Sequence, residues 1–181
     1  MNPLQEWFQP EGDRYKKAPL ETIKSIVNLV QTNIIVKEVG QGFGPKSLES
    51  LMKLPLKAIE LSGFGGTNFS LLELSRHNAQ KFDNHSSKKT LVNMGHTSKQ
   101  MIYWINGFMD NEKYECNDFI ISGGVKNLVD GYVLQQKLKA RSIIGMASAF
   151  LEYAQDISQL RDFVSQELDD LKLAHKYLRG K

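Results

Sequence analysis

The chain has 181 residues, 41% of them hydrophobic and 24% charged, with a formal net charge of +3 at pH 7. That is enough for one domain with its own core, and the small basic excess is scattered, with lysine doublets only at 16–17 and 88–89, which excludes the clustered basic face of a nucleic-acid binder. No apolar run approaches a membrane span, the first residues lack the basic and apolar regions of a signal peptide, and the lone Cys116 excludes an internal disulfide, so the expected compartment is the reducing cytoplasm.

In chain order, residues 1–6 read as loop with no strand before them, and a helix follows. Pro19 opens a helix over 20–30, where apolar residues recur at helical spacing. The β-branched run 34–39, IIVKEV, predicts a buried strand closed by the glycine-rich 40–44. A helix over 45–54 leads to a strand at 58–61, closed by SGFGGTN. Residues 70–95 read as a long irregular polar loop. Thr97 caps a helix that runs to 109. A strand at 119–122 closes on Gly123-Gly124, and a helix spans 128–138. A strand at 142–145 opens a helical stretch over 146–153. The last element, 155–178, reads as an amphipathic helix with Leu160, Phe163, Val164, Leu168, Leu171, Leu173 and Leu178 toward a core.

Strands alternating with helices predict right-handed βαβ units and a parallel sheet. In each predicted unit the glycines or polar residues follow the strand's C-terminal end. Parallel-sheet proteins bind ligands there, in barrels and open sheets alike. Four such units are half of an eight-unit barrel.

The chemistry-bearing residues cluster at these strand ends. Ser122-Gly-Gly-Val-Lys126 and Gly145-Met-Ala-Ser148 are successive strand ends that each open a helix. Their backbone N–H groups suit a phosphate, and the competing reading is two tight turns needed for close helix–strand packing. Lys37 lies in an otherwise apolar strand, where an ammonium reaches either an anion in a cavity or the solvent. Alternation places Glu38 on the opposite face from Lys37. Glu6 is a carboxylate of the type Mg²⁺ takes, or part of a solvated loop. The histidines at 77, 85, 96 and 175 lack metal-ligand spacing; those at 77 and 85 read as loop residues and that at 175 as a helix-face residue. Cys116 has no partner that marks a nucleophile, and Trp7, Trp104 and the methionines read as packing residues.

The segments NPLQEWFQPEGDR, IIVKEVGQGFG, IELSGFGGTNFS, IISGGVKN and IIGMASAFL resemble, in the same order, those of type 2 isopentenyl diphosphate isomerase. The resemblance runs from residue 1 to about 178, essentially the whole chain. It implies a TIM (β/α)8 barrel of the FMN-linked type, of which residues 1–181 are the C-terminal half, strands 5–8. The family's chain is about twice this long. Its first half carries an Arg-Lys-rich diphosphate site, further FMN contacts and the first four strands, so this half alone is expected not to isomerise. The family's motif places a histidine before Asn2, where this chain has Met1, and 77–95 is more polar than the family leads one to expect.

The implied activity is interconversion of isopentenyl and dimethylallyl diphosphate with reduced FMN, NADPH as the flavin's reductant, and Mg²⁺. Lys37 matches a flavin contact and Thr67 an FMN contact. Gly123, Gly124 and Val125, with Ala147 and Ser148, match the loops that hold the FMN phosphate. Asn2 and Gln5 match substrate-site residues, Gln5 nearest the reacting carbons, and Glu6 matches the Mg²⁺ ligand. On this reading the glycines at 63–66 let the backbone approach a flat cofactor. The family forms homo-oligomers. Two other readings stay open: an FMN-dependent oxidoreductase of the hydroxy-acid oxidase type, which needs a His–Arg pair on the late strands, and a non-catalytic half barrel that binds FMN or phosphate.

Overall fold

A computed structural model describes residues 2–77 and 87–178. Its centre is a four-stranded all-parallel sheet in the order β1 (Ile35–Lys37), β2 (Ala58–Glu60), β3 (Asp118–Ile121), β4 (Arg141–Ile144). The strands follow one another in sequence order, each pair joined by helices. This one-way winding is compatible with half of a barrel wall.

Register divides the sheet into two faces. Val36, Ile59, Phe119 and Ser142 lie side by side, as do Lys37, Glu60, Ile120 and Ile143 one residue further on. Period-2 alternation puts the two rows on opposite faces. Val36, Ile59 and Phe119 join Leu61 and Ile121 in the core, packed under Leu48, Leu51 and Met52 of α3 (Pro45–Met52) and Met101, Ile102 and Ile105 of α6 (Ser98–Met109). Leu20, Ile23 and Val27 of α2 (Pro19–Leu29) pack at its margin. The other face carries Ile35 and Ile143, which are 52% and 62% exposed.

Local signals explain the helices. Thr97 caps α6 through a reciprocal box, its Oγ1 accepting from Gln100 N while Gln100 Oε1 accepts from Thr97 N. Asn127 caps α7 (Leu128–Lys137), and Asp156 caps α9 (Ile157–Tyr177). Gly131 lets α7 approach β4, because a Cβ there would lie 2.5 Å from Ile144 Cγ2.

Several expectations are corrected. Residues 1–6 are not all loop: α1 spans Pro3–Phe8, with Asn2 as its cap and Pro3 at its first turn. Much of 70–95 is helical, in α4 (Phe69–His77) and α5 (Ser87–Val92), so His77 ends a helix, while His85 lies outside the described residues. The missed signal is Asn68, whose Oδ1 accepts from Leu71 N at 2.9 Å. The stretch over 146–153 becomes α8 (Ser148–Tyr153). In α9 only Ala174 is buried; Leu160, Phe163, Val164 and Leu171 are half-buried, and Leu168, Leu173 and Leu178 are exposed. Trp7 is exposed under the Arg14 guanidinium rather than packed in a core, and Met94 is exposed too. Among the described residues, no helix is long and apolar enough to cross a membrane.

Candidate functional site

A cleft of about 330 Å³ opens at the C-terminal ends of the strands, within the size range of small-molecule sites. Each element contributes where its strand stops. β1 gives Lys37, Val39 and Gly40; β2 gives Glu60 and then Ser62, Gly63, Gly66, Thr67 and Phe69. From β3 come Ser122, Gly123, Gly124 and Val125, and from β4 come Gly145, Met146, Ala147 and Ser148. The structure thus brings together Lys37, Thr67, Gly123, Gly124, Val125, Ala147 and Ser148, the residues expected around a cofactor.

A polar network floors the cleft. Lys37 Nζ lies 3.1 Å from Glu60 Oε1, which also accepts from Ser122 Oγ at 2.9 Å and Ser62 Oγ at 3.3 Å. Ser122 Oγ accepts from Ser62 N at 3.2 Å. Ser62 has φ 42°, a left-handed backbone unusual for a residue with a side chain. Such strain clusters at functional sites and persists only where its surroundings hold it. Sequence reading placed Ser122 in a phosphate-type turn but did not join it or Ser62 to Glu60, because their meeting depends on β2 lying beside β3.

The glycines answer partly to packing. Gly123 has φ 80°, and a Cβ there would sit 2.2 Å from the backbone N and O of Gly63. A Cβ on Gly63 would in turn meet Ser98 Oγ at 2.3 Å. Contact between the loops after β2 and β3 therefore requires Gly123, and the approach of the β2 loop to the start of α6 requires Gly63, even without a ligand. Gly65 and Gly124 also adopt positive φ, and a Cβ on Gly65 would meet nothing closer than 3.7 Å, so this turn is shaped by conformation rather than crowding.

Asn2, Gln5 and Glu6 do not line this cleft. They lie on or beside α1, which packs against α4. Asn2 is buried; its Oδ1 accepts from Leu4 N and Gln5 N, and its Nδ2 donates to Gln41 Oε1 at 2.9 Å. Gln41, which the sequence reading did not single out, is the hub of this region. Its Oε1 also accepts from Ser70 Oγ, its Nε2 donates to Met94 O, and its backbone N donates to Glu38 Oε2 at 2.6 Å. Glu38 accepts from Gly42 N as well, yet burial raises its carboxyl pKa above the usual value. Glu6 Oε2 accepts from Asp13 N at 3.0 Å, and Arg14 Nη1 donates to the carbonyls of Glu6 and Gly12, folding the 11–14 loop back on α1. Among the described residues, no group of three or more His, Cys, Asp or Glu side chains is arranged to hold a metal. His96 packs edge-on to Trp104, and His175 edge-on to Tyr132.

Fold and cleft together define an α/β protein whose parallel sheet carries a cleft at the C-terminal ends of its strands. No protein-family profile matches the chain. It is similar to the isopentenyl-diphosphate delta-isomerase of Rickettsia felis (strain ATCC VR-1525 / URRWXCal2), 33% identical over 178 residues, covering 96% of this chain and 48% of the relative. The protein of the same name from Listeria welshimeri is 29% identical, covering 99% of this chain and 46% of the relative. That from Thermoplasma acidophilum is 37% identical over 135 residues, 71% of this chain and 34% of the relative. The chain spans about half the length of the curated relatives it matches.

Proposed function

We propose that this chain is the C-terminal half of an FMN-linked TIM barrel of the type 2 isopentenyl diphosphate isomerase family. The activity of the whole would be interconversion of isopentenyl and dimethylallyl diphosphate. The carrying observation is that every residue matched to an FMN contact lines one cleft at the strand ends. The relatives' names support the isomerase class, and the sequential parallel winding is compatible with half a barrel.

The residues fit a flavin phosphate. Gly123 and Gly124 turn the chain through positive φ beside Val125, and the loop carrying Ala147 and Ser148 faces them across the cleft. Thr67 offers a hydroxyl. Lys37, held by Glu60, would contact the flavin through its ammonium. Reduced FMN, when bound, would supply a proton carrier with no net redox change. Gln5 would face the reacting carbons and Asn2 would hold the substrate. Glu6 would bind Mg²⁺ as a single carboxylate, a mode that suits an ion which keeps several waters and a diphosphate. NADPH would serve as the flavin's reductant.

A second reading is a half barrel that binds FMN or phosphate without catalysis. It is favoured by the separation of Asn2, Gln5 and Glu6 from the cleft. Fluorescence titration with FMN tests the shared claim: Lys37→Ala and Thr67→Ala should each weaken binding at least about ten-fold. Unchanged affinity in both would refute the assignment. Mg²⁺-dependent isomerisation by the chain, lost in Glu6→Gln, would select the catalytic reading.

A further inference from the structure

Charge is not spread evenly along the cleft. Among the described residues that line it, only Lys37 and Glu60 carry a formal charge, and both stand at the β1–β2 end, Nζ to Oε1 at 3.1 Å. The β3–β4 end is uncharged and built from the glycine turn at 123–124 with the small residues Ala147 and Ser148. On charge alone a phosphate would be drawn to the ammonium. Lys37 has 58% of its side chain exposed, and a lysine is a compact point charge whose three donors rotate freely.

Glu60 opposes that attraction, and it is fixed more firmly than the lysine. Only 18% of its side chain is exposed. Its Oε1 accepts from Ser122 Oγ at 2.9 Å and from Ser62 Oγ at 3.3 Å. Those hydroxyls come from the turns after β3 and β2, and Ser62 keeps its place there at φ 42°. The carboxylate is therefore held beside the ammonium by groups that no ligand would displace. It cancels the lysine's charge and sets a like charge against an approaching anion. A fixed like charge is one way a site rejects the wrong partner.

We propose that Glu60 is a specificity-determining residue that closes the β1–β2 end of the cleft to phosphate and other anions. Lys37 keeps donors beyond the one turned to Glu60, so a neutral acceptor such as a ring carbonyl is still served there. On the flavin reading, on which this further step rests, FMN then lies one way only, its ring system at Lys37 and its phosphate at 123–125 and 147–148. The exclusion of anions by Glu60 is measured without a flavin.

Inorganic phosphate is the probe, titrated into the 181-residue chain and followed by amide chemical shifts. In the unaltered chain, which needs no variant to fold, Lys37, Val39 and Gly40 should stay unmoved while Gly124, Val125 and Ser148 shift. Glu60→Gln keeps an acceptor oxygen for the two serines and removes the charge. It should bind phosphate at least about ten-fold more tightly, with shifts now at residues 37–40. Adding Lys37→Ala to Glu60→Gln should abolish that gain. Phosphate at residues 37–40 of the unaltered chain overturns the proposal. So does an affinity that Glu60→Gln leaves unchanged, or a gain that survives the loss of Lys37. A Lys37-dependent gain in Glu60→Gln, with no shift at 124, 125 and 148 in the unaltered chain, upholds the role of Glu60 and refutes the phosphate assignment to those loops.

Discussion

Lys37 and Glu60 face each other across neighbouring strands, Nζ to Oε1 at 3.1 Å, with the lysine mostly exposed and the glutamate nearly covered. Glu60 is fixed from below by Ser122 and Ser62, so the pair holds the ammonium over the cleft instead of letting it swing into solvent. An ion pair exposed on one side contributes little stability. Lys37→Ala should therefore shift the urea-derived folding free energy by less than about 1 kcal/mol. A loss several times larger would mean that the pair holds the fold rather than a ligand.

Gly123 is placed where no other residue fits. Its φ is positive, and an added Cβ would overlap the Gly63 backbone, which cannot yield like a flexible side chain. Gly123→Ala should cost more than about 2 kcal/mol in denaturant unfolding. Near-neutral stability would show that the two loops separate easily.

Glu38 gives a pH dependence. Burial raises its carboxyl pKa, outweighing the backbone N–H groups of Gln41 and Gly42 that lower it. The folded chain thus holds this proton more tightly than the unfolded chain. Its favourable contribution is complete below the unfolded value and is lost as pH rises through the folded one. Glu38→Gln does not titrate, so its stability relative to the unaltered chain should improve as pH is raised from about 4 to about 7. Urea midpoints at both pH values measure this, and a variant midpoint that stays level or falls relative to that of the unaltered chain as pH rises contradicts it.

Cys116 is buried, and that burial raises its thiol pKa. Thiolate is the reactive form. An aromatic disulfide reagent should label the native chain far more slowly than the urea-unfolded chain, and equal rates would show that the core around Cys116 opens readily.

The sheet was legible because its strands are short β-branched runs that end in glycine or polar turns. Thr97 and Pro19 marked helix starts for reasons internal to their own segments. Asn68 was read as part of a cofactor loop, yet its side chain caps α4 and also donates to Val92 O at 2.6 Å, a contact 24 residues away. The apolar stripe of α9 was overread, since Leu168 and Leu173 have the right spacing but no neighbouring element covers them. Ser62 and Gln41 carried no local signal. Their roles arise only when β2 meets β3 and when α1 and α4 converge on the loop after β1.

The most direct test of the central claim compares FMN with riboflavin in fluorescence titrations of the same chain. The two ligands share the ring system and differ by the phosphate assigned to the loops at 123–125 and 147–148. The account predicts saturable FMN binding and riboflavin affinity at least about ten-fold weaker. Equal affinity for both, or no saturable FMN binding, would contradict it.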